Sequence, residues 1–124
     1  MSMPGKREDM IVHEQDPYNA EPPPAALAHS ALTPVSAFYS RNHGPIPHLD
    51  PDVWRLHVDG LVDSPLELSL TELQSGYSQV TLAATLQCAG NRRQGLIEVR
   101  DIPGEDPWGP GATSNRRMDR YADA

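Results

Sequence analysis

Residues 80–93 read VTLAATLQCAGNRR, and this stretch joins a predicted β-strand to a turn that carries the only cysteine of the chain. Apolar residues recur at every second position up to Leu86, which is typical of a strand with one apolar face. Gly90 then breaks the pattern, and two arginines follow. The sequence therefore predicts that Cys88 lies just beyond a strand end, where a rigid sheet can hold a side chain at the edge of a cleft.

The neighbours of Cys88 favour a thiolate, because the guanidinium groups of Arg92 and Arg93 stabilise an anion. A thiolate is the form of cysteine that binds soft metals or attacks electrophiles. For an isolated cysteine, a small buried residue at a strand end is the commoner role. No protease nucleophile signature surrounds it, and one cysteine with scattered histidines does not supply a structural zinc site. A metal ligand and a buried structural residue both remain open.

The region before this strand predicts a compact α+β unit. Residues 54–58 alternate apolar and polar side chains, and residues 66–70 repeat the alternation, so each range predicts a strand with one apolar face. Ser69 and Glu72 have the spacing of a capping box, which predicts a short helix ending near Gly76.

The two ends of the chain predict little regular structure. Residues 1–30 are polar and rich in proline, which predicts an extended arm rather than a folded unit. Residues 96–99 predict a short strand, after which prolines and glycines make the chain irregular. The predicted division is therefore an arm at 1–30, a partial domain at 31–112 and an irregular tail at 113–124.

The composition limits the functions open to this chain. It holds 13 prolines and 9 glycines and is 38% hydrophobic, which predicts a thin core. The net charge of −7 argues against nucleic acid as a partner, since phosphate binding needs a clustered positive surface. No apolar run approaches the length of a membrane span, and the N-terminus lacks a secretory pattern. A single cysteine excludes an intrachain disulfide and fits a reducing, intracellular compartment.

Two further loops carry candidate functional residues. Residues 38–47 read FYSRNHGPIP, in which aromatic side chains lead into Arg41 and His43, two donors suited to oxyanions. Trp108 lies between a proline and a glycine, where a tryptophan either walls a pocket or anchors the loop on the core. Taken alone, an ordinary turn and a loop anchor are the commoner roles of these residues.

Together, the motifs resemble the molybdenum-cofactor domain of the sulfite oxidase family, which also includes assimilatory nitrate reductases. The resemblance covers residues 16–112 and rests on four segments in the family's order. These are DPYNAEPP at 16–23, LTP at 32–34, RNHGPIP at 41–47 and TLQCAGNRR at 85–93. The implied fold is the N-terminal part of the family's mixed α/β molybdopterin-binding domain, an α+β structure.

The resemblance also implies a Mo-molybdopterin cofactor and a role for each candidate residue. Cys88 would be the thiolate ligand of molybdenum. Arg93 would help to bind the oxyanion substrate, Arg41 would lie close to the substrate pocket, and Trp108 would line that pocket; these three are the candidate catalytic residues. The residues that would contact the molybdopterin are Tyr39, Ser40, Arg41, Asn42 and His43.

By the same resemblance, the activity is oxidation of sulfite to sulfate by oxo transfer at a cysteine-ligated Mo-molybdopterin. Gln87, before the cysteine, and residues 44–47 favour sulfite oxidases, and a nitrate-reductase-type domain is an alternative. The resemblance implies an intracellular protein of mitochondria or peroxisomes, and the parent enzyme would be a homodimer formed through a C-terminal domain beyond this chain. The family pattern is lost at Thr113, so a second alternative is a truncated, non-catalytic product of a misread splice junction or frameshift.

Overall fold

The computed structural model describes residues 3–122, with the side chains of residues 3–119. Two residues of the predicted arm and two of the predicted tail lie outside this range. The described chain divides into two units, which we treat separately. Unit 1 comprises residues 3–46 and 83–117, and unit 2 comprises residues 47–82 and 118–122. Both helices and strands are present, so the predicted α+β class is confirmed.

The N-terminal region forms a β-hairpin, so the prediction of an extended arm is wrong. Strands β1 (Ile11–Gln15) and β2 (Tyr18–Glu21) pair antiparallel. Ala20 also bridges Ser40 through two backbone hydrogen bonds, of 2.8 and 3.0 Å, on the other side of β2. Every residue of β2 is buried, although two of the four are polar. Hydrogen bonds satisfy these polar side chains. Because polar residues occupy buried positions, the sequence lacks the apolar alternation from which a strand is predicted.

The apolar core is small and lies in unit 1. Helix α1 (Pro24–Ala28) starts with a proline and buries none of its residues, whereas the 3₁₀ helix Val35–Ala37 buries its last one. A chain rich in proline and glycine has few apolar side chains to bury, which accounts for the thin core. The buried apolar residues of the described chain are Met10, Tyr18, Ala20, Ala37, Trp108 and Ala112.

Unit 2 contains the strands that apolar alternation predicts. Strand β3 (Arg55–Val58) pairs antiparallel with β4 (Leu66–Ser69), and Leu56 lies opposite Leu68 on the apolar face. Among residues 47–82, all of which the structure describes, no side chain is buried. The predicted apolar faces are therefore present, but their side chains are not fully shielded from solvent.

Helix α2 (Leu70–Gly76) begins with the predicted capping box. The Ser69 hydroxyl accepts a hydrogen bond from the Glu72 backbone N–H at 3.2 Å, and the Glu72 carboxylate accepts one from the Ser69 N–H at 2.8 Å. The hydrogen bond from the Ser69 side chain, with a smaller effect from the Ser69 backbone N–H, holds the pKa of the Glu72 carboxyl below its usual value. The charged carboxylate is thus part of the helix start.

The last strand replaces the irregular tail that the sequence predicts. Strand β5 (Ser78–Gln87) pairs with β6 (Thr113–Ala122). Thr81 donates a hydrogen bond to Asp119 at 2.6 Å and Thr85 donates one to Asn115 at 3.4 Å, an order that makes the pair antiparallel. Strand β6 has no apolar face, so its polar residues gave no sign of a strand.

Residues 93–97 form helix α3 (Arg93–Ile97), so the strand predicted at 96–99 is wrong. Arg92 precedes the helix in the left-handed region, with φ of 66°. The Gln94 N–H donates to the Trp108 carbonyl at 3.0 Å, which fixes the direction of the first turn. A run of four residues, three of them apolar, does not distinguish a strand from a helix by periodicity alone. In the part of the chain that the structure describes, no helix has the length and apolar character needed to cross a membrane.

Candidate functional site

Cys88 directly follows β5, as the sequence predicts, and starts a turn that is hydrogen-bonded to a second loop. The Cys88 N–H donates to the Ala112 carbonyl at 2.9 Å, and the Arg92 N–H donates to the Gly109 carbonyl at 2.8 Å. The Cys88 sulfur is partly buried and accepts a hydrogen bond from the Gly90 N–H at 3.4 Å. Two backbone contacts therefore tie the cysteine turn to the loop that follows Trp108.

The second loop is held by Glu21, a buried carboxylate from β2 that sequence analysis missed. Its exposed fraction is 2%, and its Oε1 and Oε2 accept hydrogen bonds from the backbone N–H groups of Gly109 at 2.6 Å and Gly111 at 2.7 Å. Its Oε1 also lies 3.0 Å from the Nε2 atom of His13. A Cβ atom at Gly109 would lie 2.8 Å from Oε1, and one at Gly111 would lie 2.8 Å from Oε2. The two glycines therefore allow the backbone to enclose the carboxylate.

Trp108 is both an anchor and a wall. Its exposed fraction is 1%, and its ring meets the His13 ring edge-on at a centroid distance of 4.7 Å. The same residue lines a cavity of unit 1. The two roles that the sequence left open are therefore combined in one side chain.

The segment from Tyr39 to His43 runs beside β2. The Asn42 backbone N–H donates a 2.6 Å hydrogen bond to the Asn19 side-chain oxygen, and the Asn42 side-chain amide donates to the Tyr18 carbonyl at 2.7 Å. Ser40 pairs with β2 through its backbone. These contacts fix the backbone of the segment and show that the hairpin supports the site.

Tyr39 connects this segment to β6. Its backbone N–H donates to the Ser114 hydroxyl at 3.4 Å. Burial raises the pKa of Tyr39, and the negative charge of a Cys88 thiolate adds to the shift. A negative charge on the sulfur would therefore disfavour ionisation of the phenol.

A cavity of about 520 Å³ in unit 1 brings together five of the predicted site residues. This volume is within the range of small-molecule sites. Tyr39, Ser40 and Cys88 do not line it. The predicted residues that do are Arg41, Asn42, His43, Arg93 and Trp108.

The two arginines of the cavity have different partners. Arg93 Nη1 lies 2.7 Å from Glu105 Oε2 and donates to the Asp106 backbone carbonyl at 3.2 Å. Arg41 Nη2 lies 3.4 Å from His43 Nδ1. Among the described residues, the ion pairs of the chain do not include Arg41.

Two features near Cys88 concern metal and ligand binding. The side-chain oxygen of Asn91, in the cysteine turn, is buried and has no hydrogen-bond partner among the described residues. Over the same part of the chain, no group of three or more histidine, cysteine, aspartate or glutamate side chains is arranged to hold a metal ion.

Comparison with known proteins gives a consistent result. The family model of the oxidoreductase molybdopterin binding domain matches residues 43–118. The chain is 46% identical to sulfite oxidase of Gallus gallus over 114 residues, which is 92% of this chain and 25% of the relative. It is 43% identical to mitochondrial sulfite oxidase of Homo sapiens over 115 residues, which is 92% of this chain and 21% of the relative.

Nitrate reductases are also similar to this chain. The NADPH nitrate reductase of Emericella nidulans is 46% identical over 102 residues, which is 79% of this chain and 12% of that protein. The chain thus spans a quarter or less of the length of these relatives. The family model covers more than half of the chain, and we conclude that the protein belongs to the oxidoreductase molybdopterin binding domain family.

Proposed function

We propose that this chain is part of a molybdenum-dependent oxidoreductase of the sulfite oxidase type, which oxidises sulfite to sulfate. The observation that carries the proposal is the cavity that gathers Arg41, Arg93 and Trp108. Family membership and the sulfite oxidases among the relatives support the same reaction. The predicted catalytic part, residues 31–112, contains all three residues.

The residues around Cys88 fit the Mo-molybdopterin cofactor. A thiolate suits a metal whose remaining ligands belong to the cofactor, and the Asn91 side-chain oxygen, which has no hydrogen-bond partner among the described residues, offers an acceptor for a bound group. In this proposal Cys88 holds molybdenum and residues 39–43 contact the molybdopterin. When bound, the cofactor would supply the oxygen-atom transfer and accept two electrons.

The chain's own residues would bind and orient the substrate. The guanidinium groups of Arg41 and Arg93 offer paired N–H donors that match two oxygens of sulfite, and their charges favour an anion. Trp108 closes one side of the cavity with an apolar ring, which limits water near the oxyanion and strengthens these contacts. Overall, sulfite and water would give sulfate, two protons and two electrons.

We propose sulfite rather than nitrate as the substrate for two reasons. The sulfite oxidases match 92% of this chain, whereas the nitrate reductase of Emericella nidulans matches 79%. Gln87 and residues 44–47 also resemble the sulfite oxidases more closely. A nitrate-reducing domain remains a second outcome of the experiment below.

The experiment compares four forms of the chain produced in a host that makes the molybdenum cofactor. They are the wild type, Cys88→Ser, Arg93→Gln and, as a charge-matched control on an exposed residue, Arg100→Gln. Molybdenum content is measured by mass spectrometry, and activity by sulfite-dependent oxygen consumption and by nitrate reduction. We expect Cys88→Ser to lose the metal, and Arg93→Gln to keep it but to have a higher KM for sulfite than Arg100→Gln.

Each other result has a defined meaning. A Cys88→Ser chain with wild-type molybdenum content and activity would refute the ligand assignment. A wild-type chain that holds molybdenum and reduces nitrate but does not oxidise sulfite would favour the nitrate reductase type. A wild-type chain without molybdenum would contradict cofactor binding by these residues alone.

A further inference from the structure

Arg93, the arginine proposed to bind the substrate oxyanion, already forms an ion pair with the acidic side chain of Glu105. Glu105 Oε2 lies 2.7 Å from Arg93 Nη1, inside the distance of a charge-assisted hydrogen bond. Glu105 lines the same cavity as Arg93 and Arg41. The guanidinium therefore already has a carboxylate where a substrate oxyanion would bind.

The charge of the cavity makes this contact important. Its charged lining consists of Arg41 and Arg93 against Glu14, Glu105 and Asp106, so carboxylates outnumber guanidinium groups. An anion entering such a cavity meets both competition for donors and repulsion from like charge. Its affinity then depends on which carboxylates remain directed at the arginines.

The three carboxylates differ in their contacts. Glu14 accepts a 2.9 Å hydrogen bond from the Asn19 side chain, so its carboxylate is engaged away from Arg93. Asp106 contacts Arg93 through its backbone carbonyl rather than through its carboxylate. Glu105 alone among them forms an ion pair with Arg93 in the described chain.

The Arg93–Glu105 pair can open without loss of the arginine from the cavity. The Glu105 side chain is 43% exposed, so it can turn into solvent at a modest cost. The Arg93 side chain is only 20% exposed and keeps its 3.2 Å hydrogen bond to the Asp106 carbonyl. The arginine is thus held in position while its acidic partner is displaceable.

We propose that Glu105 is an internal competitor of the substrate oxyanion for Arg93 and thereby sets the anion affinity of the cavity. The proposal rests on the proposed function, since it assumes that Arg93 binds an oxyanion. Glu105 is in this view an affinity-determining residue: sulfite binds by taking the place of its carboxylate on the guanidinium.

The test uses inorganic sulfate and the 124-residue chain without cofactor, so that it is independent of molybdenum loading. Sulfate binding is followed by the NMR shift of the arginine side-chain Nε–H groups at constant ionic strength. The variants are Glu105→Gln, which removes the competing carboxylate, and Asp106→Asn, which removes a neighbouring charge without removing the ion pair. Two further variants, Arg93→Gln alone and Arg93→Gln combined with Glu105→Gln, show whether the effect of Glu105 on sulfate affinity depends on Arg93.

We expect Glu105→Gln to bind sulfate about fivefold more tightly than the wild type, the upper range for an ion pair of this exposure. Asp106→Asn should bind less than about twofold more tightly, because its carboxylate does not touch the guanidinium. In the Arg93→Gln background, Glu105→Gln should bring no gain.

Three outcomes would overturn the proposal. Equal gains in Glu105→Gln and Asp106→Asn would show a general charge effect, and an equal gain in the Arg93→Gln background would show that the competition does not involve Arg93. Failure of every variant to bind sulfate would also refute it. The proposed function is judged separately, by the molybdenum content of the Cys88→Ser chain, so the failure of one is distinguishable from the failure of the other.

Discussion

Replacing Glu21 by glutamine tests the account of how the site is held. The carboxylate is 2% exposed and places one oxygen on the Gly109 N–H and the other on the Gly111 N–H. A carboxamide has a single oxygen, so in Glu21→Gln one backbone N–H faces an NH₂ group and loses its acceptor. The variant also removes the charged partner of His13.

The expected cost follows from these contacts. A hydrogen bond to a charged group contributes about 1.5–3 kcal/mol, and a buried donor left without an acceptor costs about 1–3 kcal/mol. We therefore expect Glu21→Gln to lower the free energy of unfolding of unit 1 by about 3–5 kcal/mol, the range found when one partner of a buried pair is removed. This is a large part of the about 5–15 kcal/mol that stabilises an ordinary domain.

Urea unfolding followed by tryptophan fluorescence measures this loss. The chain has two tryptophans, and a Trp54→Phe background leaves the buried Trp108 as the reporter of unit 1. Glu14→Gln is the matched control, because the exposed Glu14 carboxylate accepts one hydrogen bond among the described residues, from Asn19. Its free energy of unfolding should change by no more than about 0.5 kcal/mol. A Glu21→Gln chain as stable as Glu14→Gln would refute the role of Glu21.

Two other predictions concern the backbone and the helix start. Gly111→Ala should lower the free energy of unfolding by about 2 kcal/mol or more, because its Cβ would collide with the Pro22 carbonyl oxygen; Gly95→Ala, which meets nothing within 4 Å, should be neutral or stabilising in the same urea assay. The pKa of Glu72 should lie below its usual value and rise in Ser69→Ala, as measured by NMR titration, since the Ser69 side chain is the first cause of the shift. Because the folded pKa is depressed, this contribution to stability is present above the unfolded pKa and is lost as pH falls through the folded pKa; a Glu72 pKa unchanged by Ser69→Ala would contradict the capping-box account.

The elements that the sequence predicts correctly are those with local patterns. Alternation along residues 54–58 and 66–70 corresponds to β3 and β4, and the spacing of Ser69 and Glu72 corresponds to the start of α2. The position of Cys88 after β5 follows from the same local rules. Each of these patterns lies within a few residues of the structure it produces.

The elements that the sequence missed depend on distant partners. Strand β2 buries Glu21. The backbone N–H groups that donate to its carboxylate lie 88 and 90 residues further along the chain. Strand β6 also contacts a distant loop through Asn115. The Asn115 backbone N–H donates to the Thr33 hydroxyl at 3.1 Å, and the Asn115 carbonyl accepts from the Thr33 N–H at 2.6 Å. A polar residue that is buried because a remote backbone group satisfies it carries no local sign of burial.

The same reasoning explains why the candidate site was predicted only in part. The motifs supplied Arg41, Arg93 and Trp108, and the cavity brings these together. Their effects on an anion depend on partners that no motif contains. Glu105 pairs with Arg93 through a loop contact, and its spacing of twelve residues from that arginine matches no regular element.

The hairpin is therefore part of the site rather than an appendage to it. The family model begins at residue 43, yet the Glu21 carboxylate holds the loop that carries Trp108, and the Asn19 side-chain oxygen accepts a 2.6 Å hydrogen bond from the Asn42 backbone N–H. Since the same loop is hydrogen-bonded to the turn of Cys88, a displacement of β2 would be transmitted to both the cavity wall and the thiol. The residues that hold this geometry then include the buried polar side chains of β2, whose replacement would change the site without removing any residue that lines it.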